Sequence, residues 1–565
     1  MSSAHNCTAR IILAALLLSS AAWPAAAPPT GGVNAALLGA EIALGRGDCR
    51  TASQSYLDAA LQSSDLRVAA RAADVTLDCA QFALAEQVVT RWRALAPNDA
   101  SAMLAAVRVQ LGRYRISSAR TPLQQWLRKA AGDQVVTEGI DQLAEQSGVD
   151  ATLALLRDTR DARLATQQVL PRLAELAADG WDFNLALQYS ARARRAGAAP
   201  ETLAALDARA QAGLGQDAAA LTSARLAASS GGAPLALPET LLMLGREDEA
   251  ETELRRLGRQ PQLVFAAERR LALLAFARSD YGAANAHFRR LLSDENSAAV
   301  AVYYLALMAE RSGDDEVALR GYELLLETGF EAAARRRVAA IYYRDGEQRQ
   351  ALRLLSAGED ASVSERVGAE LAVADLLASE GSAAEGVLRL DTALQNYPGH
   401  PELSYQRAVL LERSDSEAAI AALEVLARER GEDMAIANAL GFTLADHKRE
   451  LPRAERLIRA ALQAQPDNPA VLDSMGWVLY QRGQAGESLP YLQRAFRLFR
   501  DGEIGSHLGE ALWSVGRHDE ARAVWKQALA ADPDNKHLLE VARRYAPELS
   551  PPRPPQIGSG NDTAV

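Results

Sequence analysis

Apolar and polar positions along the chain follow one dominant long period. From about residue 260, a small residue recurs between apolar neighbours at Ala272, Ala306, Ala340, Ala374, Ala408, Gly441, Gly476 and Gly509, with spacings of 34, 34, 34, 34, 33, 35 and 33. A second small-residue series, offset by twelve or thirteen positions, runs through Ala250, Ala284, Ala318, Gly386, Ala454, Ser488 and Ala521. Four residues beyond most of these stands a large side chain: Leu254, Phe288, Tyr322, Ile458, Leu492 and Trp525. Pro398, Pro466 and Pro533 close units. The pattern predicts a helix pair in each unit. Small residues let the two helices cross closely, the large residue fills the gap beside them, and proline stops the second helix because it cannot continue the hydrogen-bond ladder. One pair cannot bury its own apolar face, so neighbouring pairs must stack. The expected fold is all-α, a right-handed superhelical solenoid of antiparallel helix hairpins.

Residues 33–230 keep this rhythm in degenerate form. Gly45 to Ser63 reads as a turn and a helix carrying Ala52 and Tyr56, and Ala85 follows Ala52 by 33. Leu111 to Tyr114 and Ala178 to Trp181 read as turns between paired helices. The Gly- and Pro-containing stretch Ser229 to Pro238 predicts a break or kink, after which residues 239–545 form the more regular solenoid. About 510 ordered residues at roughly 34 per unit allow about 15 hairpins. Residues 546–565 contain five prolines and little apolar content, and are expected to be an unfolded tail.

Residues 1–26 read as a signal peptide. Arg10 precedes the uncharged run Ile11 to Ala22, and small residues follow, with cleavage after Ala22 or Ala26. A twelve-residue run is short against the roughly 20 apolar residues that span a bilayer, and no lipid-acceptor Cys directly follows it. The expectation is a periplasmic protein without a lipid anchor or a transmembrane segment in the mature chain. At 48% hydrophobic and 24% charged residues the composition is that of a folded protein. Acidic residues outnumber basic ones by 72 to 61, a formal charge of −11, and no dense Lys/Arg block stands out. That excludes nucleic acid as an expected ligand, since phosphate binding needs a concentrated basic face.

Cys49 and Cys79 lie beyond the signal. On the repeat template Cys49 opens the second helix of one hairpin, while Cys79 ends the first helix of the next, and antiparallel packing brings those ends together. Two readings follow: a disulfide, stabilising by about 3 kcal/mol through loop closure in an oxidising compartment, or two separate buried thiols. Seven scattered histidines form no His-Glu-x-x-His or Cys/His spacing. No nucleophile elbow, phosphate-cradling glycine loop or dinucleotide fingerprint appears. The sequence therefore predicts no catalytic residue, no metal site and no cofactor.

The candidate partner-binding residues are those that the first helices of three C-terminal units project into a groove. They are Asn438, Phe442 and Asp446; Asp473, Trp477, Tyr480 and Gln481; and Ser506, Glu510 and Trp513. Aromatic anchors beside polar groups suit a polypeptide site. The same rings could instead cap the core between helices, because a one-residue register change exchanges the two faces. Tyr303, Tyr304, Tyr342, Tyr343 and Tyr405 read mostly as core.

The small-large-small template resembles the tetratricopeptide repeat family. More narrowly, Asn438 to Asp446, Asp473 to Trp477, and His507 to Glu510 with Gly516-Arg517 and Glu520-Ala521, resemble the end of exported bacterial tetratricopeptide adaptors that partner a carboxy-terminal processing protease. The resemblance implies a non-catalytic scaffold that brings cell-wall hydrolases or other envelope proteins to that protease. Two other classes stay open: an assembly or secretion factor for exported polysaccharide or outer-membrane proteins, and an enzyme with a dispersed, motif-free site.

Overall fold

A computed structural model describes residues 32–549, apart from 359, 533 and 534. The expected signal peptide, Pro533 and the tail from residue 550 lie outside the described residues. Among those described there are 31 α-helices and no strand. Successive helices pack as pairs, so the first thirty make fifteen hairpins, and the last, Lys536–Tyr545, covers the open end of the final pair. None of these helices is long and apolar enough to cross a membrane.

Local chemistry sets the helix ends. Many first helices open on an Asp or Asn whose side chain accepts from the free backbone N–H groups of the first turn. Asp433 accepts from Ala435 N at 3.0 Å, Asn468 from Ala470 N at 3.0 Å, and Asp501 from Glu503 N at 2.8 Å. The tight turn between the helices of a pair needs a left-handed residue, supplied by Gly483 and Gly516 in the last units (φ +79° and +83°). Pro398 and Pro466 follow the second helices Ala383–Asn396 and Leu451–Ala464.

The repeat positions pack as their sizes demand. Ala250, Ala284, Ala318, Ala454, Ser488 and Ala521 are fully buried, as are Leu254, Phe288, Tyr322, Ile458, Leu492 and Trp525. Each glycine of the first series lies against the large residue of its own second helix. A Cβ on Gly441 would come 2.6 Å from Ile458 Cγ1, and one on Gly476 or Gly509 would overlap Leu492 or the Trp525 indole. Gly509→Ala is therefore expected to overpack the final hairpin and lower stability by about 1–3 kcal/mol in denaturant melts. An unchanged midpoint would contradict the close crossing.

Two features modify the sequence reading. The stretch around Ser230–Leu235 is an irregular joint, yet Ala224 and Ala227 before it share a core with Ala236 after it, so the stack continues across. At the C-terminus Ala546 is buried and Pro547–Leu549 form a short 3-10 turn, so ordered chain extends past residue 545. Cys49 and Cys79 are joined by a disulfide, with Cα atoms 5.5 Å apart, where the start of Cys49–Gln62 meets the end of Leu66–Asp78.

The stack also returns onto itself. Ala40, Tyr56 and Trp92 share one core cluster with Val367, Leu390, Tyr397 and Leu403. Farther along, Gln81 Nε2 donates to Pro398 O (2.9 Å), Arg157 Nη2 to Ala464 O (2.9 Å) and Asp467 N to Trp181 O (3.0 Å). Arg500 pairs with Glu247 at 2.9 Å. Hairpins of the N-terminal half are thus seated against hairpins of the C-terminal third.

Candidate functional site

The first helices Pro401–Leu411, Met434–Asp446, Pro469–Gln481 and Gly502–Ser514 belong to four successive hairpins and lie side by side. Between them opens a cleft of about 590 Å³, lined by Tyr405, Glu412, Asn438, Phe442, Asp473 and Glu503 among others. Trp181, carried in by the returning N-terminal half, and Phe499, 56% exposed, complete the aromatic wall.

Asn438 and Phe442 line this cleft as the sequence reading placed them. Asp473 reaches its wall too, but is committed to a partner. Its Oδ2 lies 2.9 Å from His507 Nδ1, and both side chains are buried. Trp477 is only 5% exposed, stacked between His507 (centroids 3.9 Å apart) and Tyr480 (5.1 Å). Its indole N–H donates to Asp446 Oδ1 at 2.9 Å. Asp446 is exposed at the end of its helix, and Gln481 is half-buried outside the cleft.

The last unit corrects the groove assignment. Ser506, Gly509 and Trp513 form one stripe facing the second helix, His518–Ala531, instead of the cleft. Trp525 Nε1 points at Ser506 O (3.5 Å), and Trp513 packs on Trp525 (5.7 Å), Tyr545 (5.4 Å) and His518 (4.1 Å). Ser506 is buried, and Trp513 belongs to the packed end of the solenoid. Glu510 is nearly covered, 3.9 Å from His537 Nε2. The residues that sequence reasoning missed are Glu412, Glu503 and His507 as site groups, and Trp181 and Phe499 as walls. For His507 a signal existed: it lies 34 residues, one unit, beyond Asp473.

Electrostatically the site is crowded with carboxylates. Burial, then the nearby Asp446, pushes Glu412 up to about 7. Burial also raises Glu503, although its side chain reaches solvent at the mouth, and His507 only partly offsets this. Burial pulls His507 down, but the charge and hydrogen bond of Asp473, with Glu503 and Glu510, outweigh it and hold His507 up at about 9. A histidine raised in the folded state contributes stability that is complete below its unfolded value of about 6.5 and is lost as pH rises through about 9. Glu412, a raised carboxylate, acts in the same direction at lower pH, with stability falling as pH rises from about 4.5 through about 7. Melting temperature is therefore expected to decline from pH 6.5 to 9.5, and His507→Gln should flatten that slope. A flat or rising wild-type profile in this window would contradict the buried ion pair.

One further grouping has no sequence motif behind it. Glu412, Asp446 and His447 place one ligand-type atom each within 4.8 Å of one another at the ends of adjacent first helices.

No protein-family model matches the chain. Among solved structures, a thermophilic tetratricopeptide protein of Thermus thermophilus aligns at 23% identity over 32% of this chain and 97% of its own, with a TM-score of 0.29. The APC/C hetero-tetramer Cut9–Hcn1 aligns at 14% identity over 91% and 96%, also at 0.29. Superpositions this loose carry no weight. Among characterised sequences, a TPR repeat-containing protein of Pseudomonas aeruginosa is 39% identical over 126 residues, 21% of each chain. That local identity falls on a chain already seen to be built of stacked hairpins with small residues at the crossings. The chain is similar to tetratricopeptide repeat proteins, in that segment by sequence and throughout by its stacked helix hairpins. Protein O-mannosyl-transferase TMTC1 of Homo sapiens is 24% identical to this chain over 209 residues. The matched segments span only 21% and 24% of these two relatives.

Proposed function

We propose that this protein acts by binding other polypeptides, as an exported scaffold that presents cell-wall hydrolases or other envelope proteins to a carboxy-terminal processing protease. The observation that carries the binding reading is the cleft between four first helices. It is large enough for the side chains of a bound segment, walled by aromatic rings and edged by acceptors whose needs the protein itself does not meet. The solenoid supplies a long surface and holds that cleft rigidly, because each wall comes from a separate hairpin fixed by its neighbours. The signal-like N-terminus and the resemblance of the C-terminal units to protease adaptors support the location and the partner class.

Affinity capture of the full chain from envelope extract, read by mass spectrometry against a Phe442→Asp control, tests this. Recovery of a processing protease together with peptidoglycan hydrolases, both reduced by the control substitution, is the expected result. Synthase or barrel-assembly subunits in their place would transfer the chain to the assembly class. Absence of any protein partner would contradict the scaffold.

A further inference from the structure

The cleft holds two covered acceptor atoms that no donor of its own lining satisfies. Glu412 Oε1 and Asn438 Oδ1 are buried atoms without a hydrogen-bond partner, and both residues line it. His447 Nε2 stands 3.8 Å from Glu412 Oε1, outside hydrogen-bond reach. Glu503 adds a further carboxylate at the mouth. The other two acids of the lining are occupied, Asp473 by His507 and Asp501 by the backbone N–H groups of Glu503 and Ile504. The one cation of the lining, Arg413, donates to the backbone at Ala378 O (3.3 Å). A covered acceptor left unpaired costs on the order of 1–3 kcal/mol, so the cleft is built for something that brings donors and positive charge. Tyr405, Phe442, Phe499 and Trp181 in the same walls favour a flat cation with an apolar stem.

Resting on the polypeptide-binding reading, we infer that this cleft receives an arginine side chain of a partner protein, its guanidinium between Glu412, Asn438 and Glu503 and its stem along the aromatic wall. Arginine suits the site better than lysine. Its five fixed donors can serve separated acceptors at once, and its plane stacks on rings. The volume of about 590 Å³ holds one such side chain with its immediate neighbours and not a folded domain, so the segment that carries it must be extended or looped when bound.

The test is selection of displayed random twelve-residue peptides on the full-length protein. Fluorescence anisotropy of fluorescein-labelled selected sequences follows, against wild type and the variant carrying Glu412→Gln and Glu503→Gln. Peptides sharing an arginine beside an apolar residue are expected. Replacing that arginine by citrulline, or using the double variant, should weaken binding at least tenfold, with the variant still folded and melting in one cooperative transition. Peptides selected without arginine, or bound equally by the double variant, would overturn the inference and leave the scaffold reading standing. Recovery of no binding peptide would overturn both. Zinc titration is the remaining arm: micromolar binding abolished by His447→Ala and competing with the peptides would assign the unpaired Glu412 oxygen to a metal ion and remove the arginine.

Discussion

Asp467→Ala is expected to lower stability by about 3–5 kcal/mol and to open the molecule. Asp467 is fully buried where the N-terminal half meets the C-terminal third. Its Oδ2 accepts from Phe183 N at 2.7 Å, its Oδ1 accepts from Arg494, and its own N–H donates to Trp181 O at 3.0 Å. Burial, the largest influence, raises the Asp467 carboxyl, and Arg494 only partly reverses this, so the charge is held there by its partners. Removing the carboxylate strands a guanidinium and a backbone N–H together, which is the costly half of breaking a buried pair. Denaturant melts should show the loss of stability. Small-angle scattering should show a larger radius of gyration, because the contact joins parts of the chain 284 residues apart. Asp467→Asn keeps an acceptor for Phe183 and should lose less. Unchanged melting and unchanged radius in Asp467→Ala would show that the two halves do not meet in solution.

Trp477→Ala is the second large effect, also about 3–5 kcal/mol. The indole is sandwiched between His507 and Tyr480 and tied to Asp446, so its removal leaves a cavity, frees an acceptor and loosens the aromatic cover over the Asp473–His507 pair. The variant should melt earlier and lose the pH dependence assigned to His507 along with it. A normal melt with weakened partner binding would instead return the ring to an open groove. Trp513→Ala should likewise act on folding of the last hairpin, since that ring rests on Trp525 and Tyr545.

Much of the fold was legible because its determinants are local. Gly441 and Ile458, or Gly509 and Trp525, stand less than one unit apart, and their sizes alone state how closely two helices cross. The disulfide was legible for the same reason, since its cysteines lie 30 residues apart on adjoining helix ends. The groove was only half legible. Asn438 and Phe442 fell on the cleft, whereas Ser506 and Trp513 fell on the stripe that faces the second helix, because each residue along a helix turns about 100° and the two faces adjoin. Trp181 could not be read into the site at all. It arrives there through the rotation between successive hairpins accumulated over many of them, and no single repeat encodes their sum.

The central claim is that the cleft between the four first helices holds other polypeptides. A photo-crosslinking amino acid at Asn438, in the cleft, and another at Leu388, 66% exposed on the second helix of its hairpin, test it within intact cells. The account predicts discrete protein adducts from position 438 and none of the same mass from 388. Adducts from 388 alone, or no protein adduct from 438, would contradict it.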